Sequence, residues 1–476
     1  MLIALNLLKF FNDGGNSVKS KYFSKASMIC YMTSVVLLFT GCHPSPASDT
    51  NNTAPSTSEK TSLKIGFIKL TDMAPLAIAA EKGFFKDEGL QVQLEAQPNW
   101  KVLYERVQKG DLDGAHMLAA MPLASMTTTS DVQIISPFTM SYNGAGITVS
   151  NAIWTEMKKN IPLENDKPKH PISASTLKPI VDQYKQQKKP FNLGMTFPTG
   201  THNYMLRYWL AAGGINPGKY DPNKNDFSGN IDADVNLSVV PPPEMMANMV
   251  AGTTLGYAVG EPWNQKAVKK GFGVPVITSD VLWENGADKV FGVTSTFAEK
   301  NPNTTIKVVK ALIRASHWLD ENDHIHRREA AKLIAQTNYV GVDEDIIANS
   351  MTGVFEYEKG DIRPLKSFNT FFTGQYGIPY YSDAIWWLTQ MRRWGQIPET
   401  KPDHWYLEIA QKTYRPDIYT AAANSLIAEG KMKREQFPNL TTATFIKPPQ
   451  TSRLDGIVFD ANKPTAFLAA FKIGNK

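Results

Sequence analysis

From Ser62 onward, short apolar runs alternate with stretches whose apolar residues recur at helical spacing. Ser62–Lys69 predicts a strand, Ala74–Gly83 a helix, Leu90–Glu95 a second strand, Lys101–Gln108 a helix and Gly114–Leu118 a third strand. Strands alternating with helices give an α/β fold with a mostly parallel sheet, whose ligand crevices lie at the carboxyl ends of the strands. Leu70–Pro75 and Pro98–Trp100 sit at two such ends. Residues 155–190 are polar, lysine-rich and weakly helical, and read as an excursion from the first lobe. A second α/β unit starts with an apolar run over Phe191–Phe197, a turn at Pro198-Thr199-Gly200 and a helix whose pattern is regular from Asn203. It continues with a strand at Asn236–Val240, a helix at Pro243–Val250 and a strand at Leu255–Val259, while Asn225–Ala233 reads as a surface loop. After Thr278 the chain returns to the first lobe through a strand at Val290–Thr294 and an amphipathic helix at Thr304–Leu319. The expected organisation is therefore one lobe from residues 62–190 and 279–476, the latter carrying a C-terminal extension, and a second lobe from residues 191–278. Trp386, Trp387, Trp394 and Trp405 in the extension read as packing against the lobes.

The region before Ser62 has a different character. Lys19, Lys21 and Lys25 precede an apolar run, Ala26–Phe39, that is short for a membrane span, and Thr40-Gly41-Cys42 follows. A small residue just before a cysteine at the end of such a run resembles a bacterial lipoprotein signal, so residues 1–41 read as a signal peptide and Cys42 as the lipidated residue. Residues 42–61, rich in Ser, Thr, Pro and Asn, read as a flexible tether. Only Cys30 and Cys42 are present, so a body processed at Cys42 has neither a disulfide nor a thiolate metal site. Without residues 1–41 the chain keeps 46 basic and 44 acidic side chains, a net charge of +2, which gives no electrostatic footprint for nucleic acid.

Candidate chemistry centres on Thr199-Gly200-Thr201-His202. A helix entered through Thr201 and His202 points free N–H groups and its positive dipole end out of the turn, which suits a small anion. Thr199 and Thr201 add hydroxyl donors and His202 an imidazole; an ordinary helix cap is the plainer reading of the same residues. No phosphate-binding Gly-rich loop, H-E-x-x-H or G-x-S-x-G occurs. His324-Ile325-His326 reads as a solvated helix start, and Asp111 and Asp113 as a turn before a strand. No metal site or cofactor is expected.

Several segments resemble, in order, the nitrate- and bicarbonate-binding lipoproteins of ABC uptake systems: Lys64-Ile65-Gly66-Phe67, Leu70-Thr71-Asp72-Met73-Ala74-Pro75, Glu81-Lys82-Gly83-Phe84-Phe85, Asp111 to Leu118, Gly200-Thr201-His202-Asn203, Arg207 to Gly213, Val239-Pro242-Pro243-Met246, Gly260-Glu261-Pro262-Trp263-Asn264, Asp288-Lys289-Val290-Phe291-Gly292 and Gln390 to Gly395. The resemblance spans nearly all of residues 62–420. It implies a two-lobed periplasmic-binding-protein fold (type II-like) with an anion between the lobes. It also implies that Trp100 is the site tryptophan, His202 the site histidine and Lys289 the lysine of the nitrate binders, with Asn143 supplying an amide. Nitrate is a planar monoanion that accepts weakly and donates nothing, so its site needs donors and one positive charge, which Lys289, His202, Thr199, Thr201 and the Trp100 indole would supply. The implied function is a receptor, not an enzyme, that delivers nitrate or nitrite to ABC permease subunits from a lipid anchor on the periplasmic face of a membrane. A calcium-dependent bicarbonate receptor is the first alternative; Glu261 reads as structural in its Gly-Glu-Pro-Trp turn, though close enough to accept that ligand's proton. A thiamine-precursor enzyme of the same fold and a cytoplasmic nitrate sensor are the others.

Overall fold

A computed structural model describes residues 58–127, 130–438, 440 and 444–474. The signal segment and Cys42 lie outside them. The expected tether reaches too far, because its last residues are fixed to the body. The Glu59 carboxylate accepts from the Thr304 N–H at 2.7 Å and the Asn303 side chain at 2.7 Å, and Lys60 pairs with Asp113 at 2.7 Å.

Two sheets organise the body from Glu59. The first contains β1 (Ser62–Phe67), β2 (Gln91–Ala96), β3 (Gly114–Leu118), β4 (Ile134–Asn143), β10 (Ala287–Thr294) and the short β11 (Asn369–Thr370), in the order β11-β4-β10-β3-β1-β2. The second contains β5 (Ala145–Ser150), β6 (Asn192–Met195), β7 (Asn236–Val239), β8 (Gly256–Gly260) and β9 (Gly273–Thr278), in the order β7-β6-β8-β5-β9. Strands joined by helical crossovers are parallel: β1 with β2 and β3, and β6 with β7 and β8. The strands at the two passages between the sheets, β4 and β5 and then β9 and β10, run antiparallel to their neighbours. Both sheets are therefore mixed, not mostly parallel.

The sheet order corrects the lobe boundary. Residues 145–150 pair with β8 and β9, so the second lobe begins at Ala145 instead of Phe191, and residues 155–190 belong to it. The passage is made by Asn143 and Gly144, both in the left-handed region with φ of 58° and 80°. Asparagine and glycine tolerate that backbone where other residues are strained. Asn225–Ala233 is not a loop either, since Asp226–Ile231 forms a strand against Lys219–Asp221. Its anchor is the buried Arg207, which donates to the carbonyls of Pro217, Gly218 and Gly229 and to Asn203 Oδ1.

Three helices matter for the site: α1 (Ala74–Glu81), α2 (Trp100–Gln108) and α3 (Thr201–Ala212), which follow β1, β2 and β6 respectively. The extension contributes α4 (Tyr381–Arg393), every residue of which from Ser382 to Arg393 is buried. Trp386 stacks on Tyr208 of α3 at a centroid distance of 6.2 Å, and Trp387 packs at a tilt against Tyr204 at 6.0 Å. Farther on, Tyr414 donates to the Ala119 carbonyl at 2.9 Å, at the end of β3. The extension thus packs on both lobes. Among the described residues, no helix is long and apolar enough to cross a membrane.

Candidate anion site

The site lies where the carboxyl ends of β1, β3 and β8 meet the start of α3 and the strand β10. β10 runs Ala-Asp-Lys-Val-Phe-Gly-Val-Thr and is buried for all but its last residue, so Asp288 and Lys289 are taken out of water together. Lys289 is fully buried, and its ammonium contacts Asp288 Oδ2 at 2.5 Å and Asp72 Oδ2 at 2.9 Å. Asp72 comes from the turn after β1, and its other oxygen meets His116 Nε2 of β3 at 2.8 Å. The Ile68 N–H faces His116 Nδ1 at 3.5 Å, which leaves Nε2 as the donor to Asp72. Asp288 Oδ1 accepts from the Thr201 hydroxyl at 2.6 Å. A row of buried contacts therefore runs His116–Asp72–Lys289–Asp288–Thr201 and links the two lobes.

Burial alone would raise the Asp72 carboxyl, but Lys289 and His116 overcome it and hold Asp72 well below the usual carboxylate range. Burial would lower Lys289, yet Asp288 and then Asp72 keep it above its ordinary value. For Asp288 the balance goes the other way: desolvation outweighs the Lys289 charge and pushes its carboxyl up. His202 is pushed well down, by burial and then by Lys289. Burial also raises Glu261, in the turn after β8, to about 8 despite the Gln265 N–H that donates to it.

His202 is fully buried; its Nδ1 meets the Thr196 hydroxyl at 2.8 Å, while Nε2 has no hydrogen-bond partner. In the tautomer where the Thr196 hydroxyl donates to Nδ1, Nε2 carries the ring proton; in the other, Nδ1 donates to Thr196 and Nε2 is an acceptor. A methyl placed on Gly260 would stand 3.4 Å from that Nε2 and 3.3 Å from Asp72 Oδ2, so glycine keeps this corner of the chamber open. Trp100 opens α2, which is capped by Asn99 accepting from the Val102 N–H at 2.9 Å. Its ring lies 5.5 Å from the His116 ring, and its buried indole N–H has no partner. Ser141 pairs with Lys289 across β4 and β10, and its buried hydroxyl is also without a partner.

The structure thus gathers Trp100, Thr201, His202 and Lys289 around one buried centre. Of the other two candidates, Asn143 lines the cavity that Thr201 and Asp288 also line, with its Oδ1 buried and unpartnered, while its Nδ2 donates to the Ser367 carbonyl at 2.8 Å and its left-handed backbone explains the residue type. Thr199 stays half-buried on the turn, and Thr196 takes the role of hydroxyl partner to His202. The helix N-terminus differs from expectation as well. The Thr201 hydroxyl is taken by the protein's own Asp288, and Lys289 is already shared between two carboxylates. Asp72, His116 and Asp288 were visible in the sequence as charged or ionisable residues inside or directly after apolar strands, the positions where burial demands a partner.

Residues 56–335 match the NMT1-like family. The chain belongs to that family. The nitrate import ATP-binding protein NrtC of Synechocystis sp. is 34% identical over 87% of this chain, which spans 56% of that longer protein. The nitrate/nitrite binding protein NrtA of Nostoc sp. is 32% identical, with 87% of this chain and 86% of the relative covered. The bicarbonate transport ATP-binding protein CmpC of Synechocystis sp. is 32% identical over 86% of this chain and 55% of its own length. The crystal structure of the periplasmic nitrate-binding protein NrtA from Synechocystis aligns with a TM-score of 0.74 at 29% identity, covering 87% of this chain and 99% of that one. This member of the family therefore has a mixed α/β periplasmic-binding-protein fold.

Proposed function

We propose that this protein is the solute-binding receptor of an ABC importer, capturing nitrate, and nitrite with it, between its lobes and presenting it to the permease. One observation carries the reading: the buried cluster holds donors with no acceptor from the protein. They are the Trp100 indole N–H, the Ser141 hydroxyl, His202 Nε2 in its protonated tautomer and the one ammonium N–H of Lys289 left over by its two carboxylates. A cluster rich in unused donors suits a flat anion whose oxygens accept and which has no proton of its own. The likeness to nitrate/nitrite binding proteins supports the same ligand. Closure would bring α3 of one lobe against β3 of the other; Gly200 already lies so close to Leu118 that a methyl there would be 2.9 Å from its Cδ1.

A second reading, bicarbonate, is favoured by an acceptor that nitrate cannot satisfy. Asn369 Oδ1 is buried without a partner, and its Nδ2 donates to Thr71 Oγ1 beside Asp72. Bicarbonate could donate its O–H to it. Calorimetric titration of residues 58–476 with nitrate, nitrite and bicarbonate, with and without calcium, separates the two. Nitrate binding that ignores calcium supports the first reading, and bicarbonate binding that needs calcium, with no heat for nitrate, supports the second. The signal-like segment ending at Cys42 supports lipid anchoring at the periplasmic face of a membrane. Cys42→Ser should then shift the protein from the membrane fraction to the soluble one.

A further inference from the structure

We propose that the receptor takes up a proton together with its anion and that Asp288 is the group that holds it. The inference rests on the reading of the chamber as a nitrate site and begins from a count of charges. Around the centre stand one ammonium, Lys289, and two carboxylates, Asp72 and Asp288, each at most 5% exposed. The other groups facing it are His116 from β3, His202 and Thr201 from α3, Glu261 from the turn after β8, Ser141 from β4 and Trp100 from α2. None of these offsets the charge of Asp288: burial pushes His202 well down towards its neutral form, and His116 faces Asp72 Oδ1 at 2.8 Å, not Asp288. From the side of the extension, Asp383 lines a pocket shared with Thr201 and Asp288, but Lys447 neutralises it at 2.9 Å. A monoanion entering this sealed space adds a negative charge beside two carboxylates that already share the Lys289 ammonium. Like charges a few ångströms apart out of water cannot all stay ionised.

Hydrogen-bond geometry decides which carboxylate gives way. Asp72 is held by an ammonium and by the imidazole Nε2–H, which here only donate, so a proton on Asp72 would cost it a contact. Asp288 has the Thr201 hydroxyl, which can donate or accept. Protonated Asp288 can turn that contact round, its O–H donating to Thr201 Oγ1 across the same 2.6 Å, while Oδ2 keeps Lys289. No contact is lost. The raised carboxyl of Asp288 agrees with this order. Glu261, with a carboxyl pushed up to about 8, is already mostly protonated near neutral pH and can account for only a minor part of a proton taken up.

The test is calorimetric titration of the protein with nitrate at about pH 7.5, repeated in phosphate and in Tris, whose heats of ionisation differ widely. The dependence of the observed heat on the buffer gives the number of protons exchanged. The parent protein should take up about one proton per nitrate, and its affinity should fall towards tenfold for each unit of pH above that point. Asp288→Asn should bind nitrate with a proton count near zero and an affinity that no longer follows pH. Thr201→Val, which keeps the shape and removes the accepting hydroxyl, should cut the parent's proton count by half or more, and it serves alone if Asp288→Asn does not fold. Nitrate bound with no net proton overturns the proposal and leaves the nitrate reading standing. An undiminished proton count in either variant overturns the assignment to Asp288. Absence of any nitrate binding overturns the nitrate reading and this inference with it.

Discussion

Gly260→Ala isolates the role of His202 better than a change at His202 itself. His202 is wholly buried, so truncating it would leave a cavity and confound binding with stability. Gly260 ends β8 with an ordinary backbone, since its φ is not among the positive values, and alanine can adopt it. The added methyl would meet His202 Nε2 at 3.4 Å, Asp72 Oδ2 at 3.3 Å and Leu70 Cδ2 at 3.4 Å. These contacts are tight without being collisions. Stability should change by no more than about 1 kcal/mol, because the loss of chain entropy in the unfolded state partly offsets the crowding. Binding should change far more. Carbon over Nε2 denies a ligand the only free ring nitrogen of His202, and a hydrogen bond to a charged group is worth roughly 1.5–3 kcal/mol. Nitrate affinity should drop by about one to two decades. Titration calorimetry measures the affinity and thermal unfolding of the ligand-free protein the stability. Affinity within about twofold of the parent, in a variant of unchanged melting temperature, would refute the placement of the anion against His202.

Lys289→Met removes the only ammonium among the two carboxylates, and should destabilise the ligand-free protein by about 3–5 kcal/mol in chemical denaturation. Adding Asp288→Asn to that variant should recover part of the loss; if it does not, the carboxylates do not share Lys289 as described. Glu261 predicts a pH dependence of stability. Its carboxyl rises from 4.5 to about 8 on folding, so the folded state keeps a proton that the unfolded state releases. The contribution is complete below the unfolded value and is lost as pH climbs towards 8, at about 1.4 kcal/mol per pH unit, and Glu261→Gln should flatten that slope. Gly144→Ala should cost about 1–3 kcal/mol, because the residue has φ of 80° and its methyl would lie 2.6 Å from Asn369 Oδ1. A variant as stable as the parent in urea would show that the lobe passage tolerates another conformation.

Periodicity was a good guide where an element shows one face to the core and another to solvent. α2 and the strands β1 and β2 begin and end within a few residues of their expected positions, because alternation or helical spacing is written into them. It failed at β4 and β5. Ten consecutive residues of β4 are buried, so they show no alternation, and the run Ile-Ile-Ser-Pro-Phe-Thr-Met-Ser-Tyr-Asn carries no two-residue period to read. Missing those strands moved the lobe boundary from Ala145 to Phe191, since the passage between lobes is made in one step at Asn143–Gly144. The Asp226–Ile231 strand was missed for the opposite reason. Its residues are mostly polar and half-buried, and what holds them is Arg207, a residue of another element.

The site divides along the same physical line. Residues that a ligand would touch could be nominated one at a time, because an indole, an imidazole and an ammonium at strand ends and helix starts each suggest donors. The sequence says nothing of what those donors touch besides a ligand, and that decides the electrostatics. Lys289 in isolation is a unit positive charge for an anion; Lys289 between Asp72 and Asp288 is a hydrogen-bond donor whose charge two carboxylates already share. Asp72 and Lys289 are more than two hundred positions apart, and only the pairing of β10 with β3, and of β3 with β1, brings them within 2.9 Å. Such a cluster would hold the empty receptor together through its own ion pairs and admit the anion only when a carboxylate is neutralised. Binding strength is then set less by the count of donors than by the energy of removing one negative charge from a place that water does not reach.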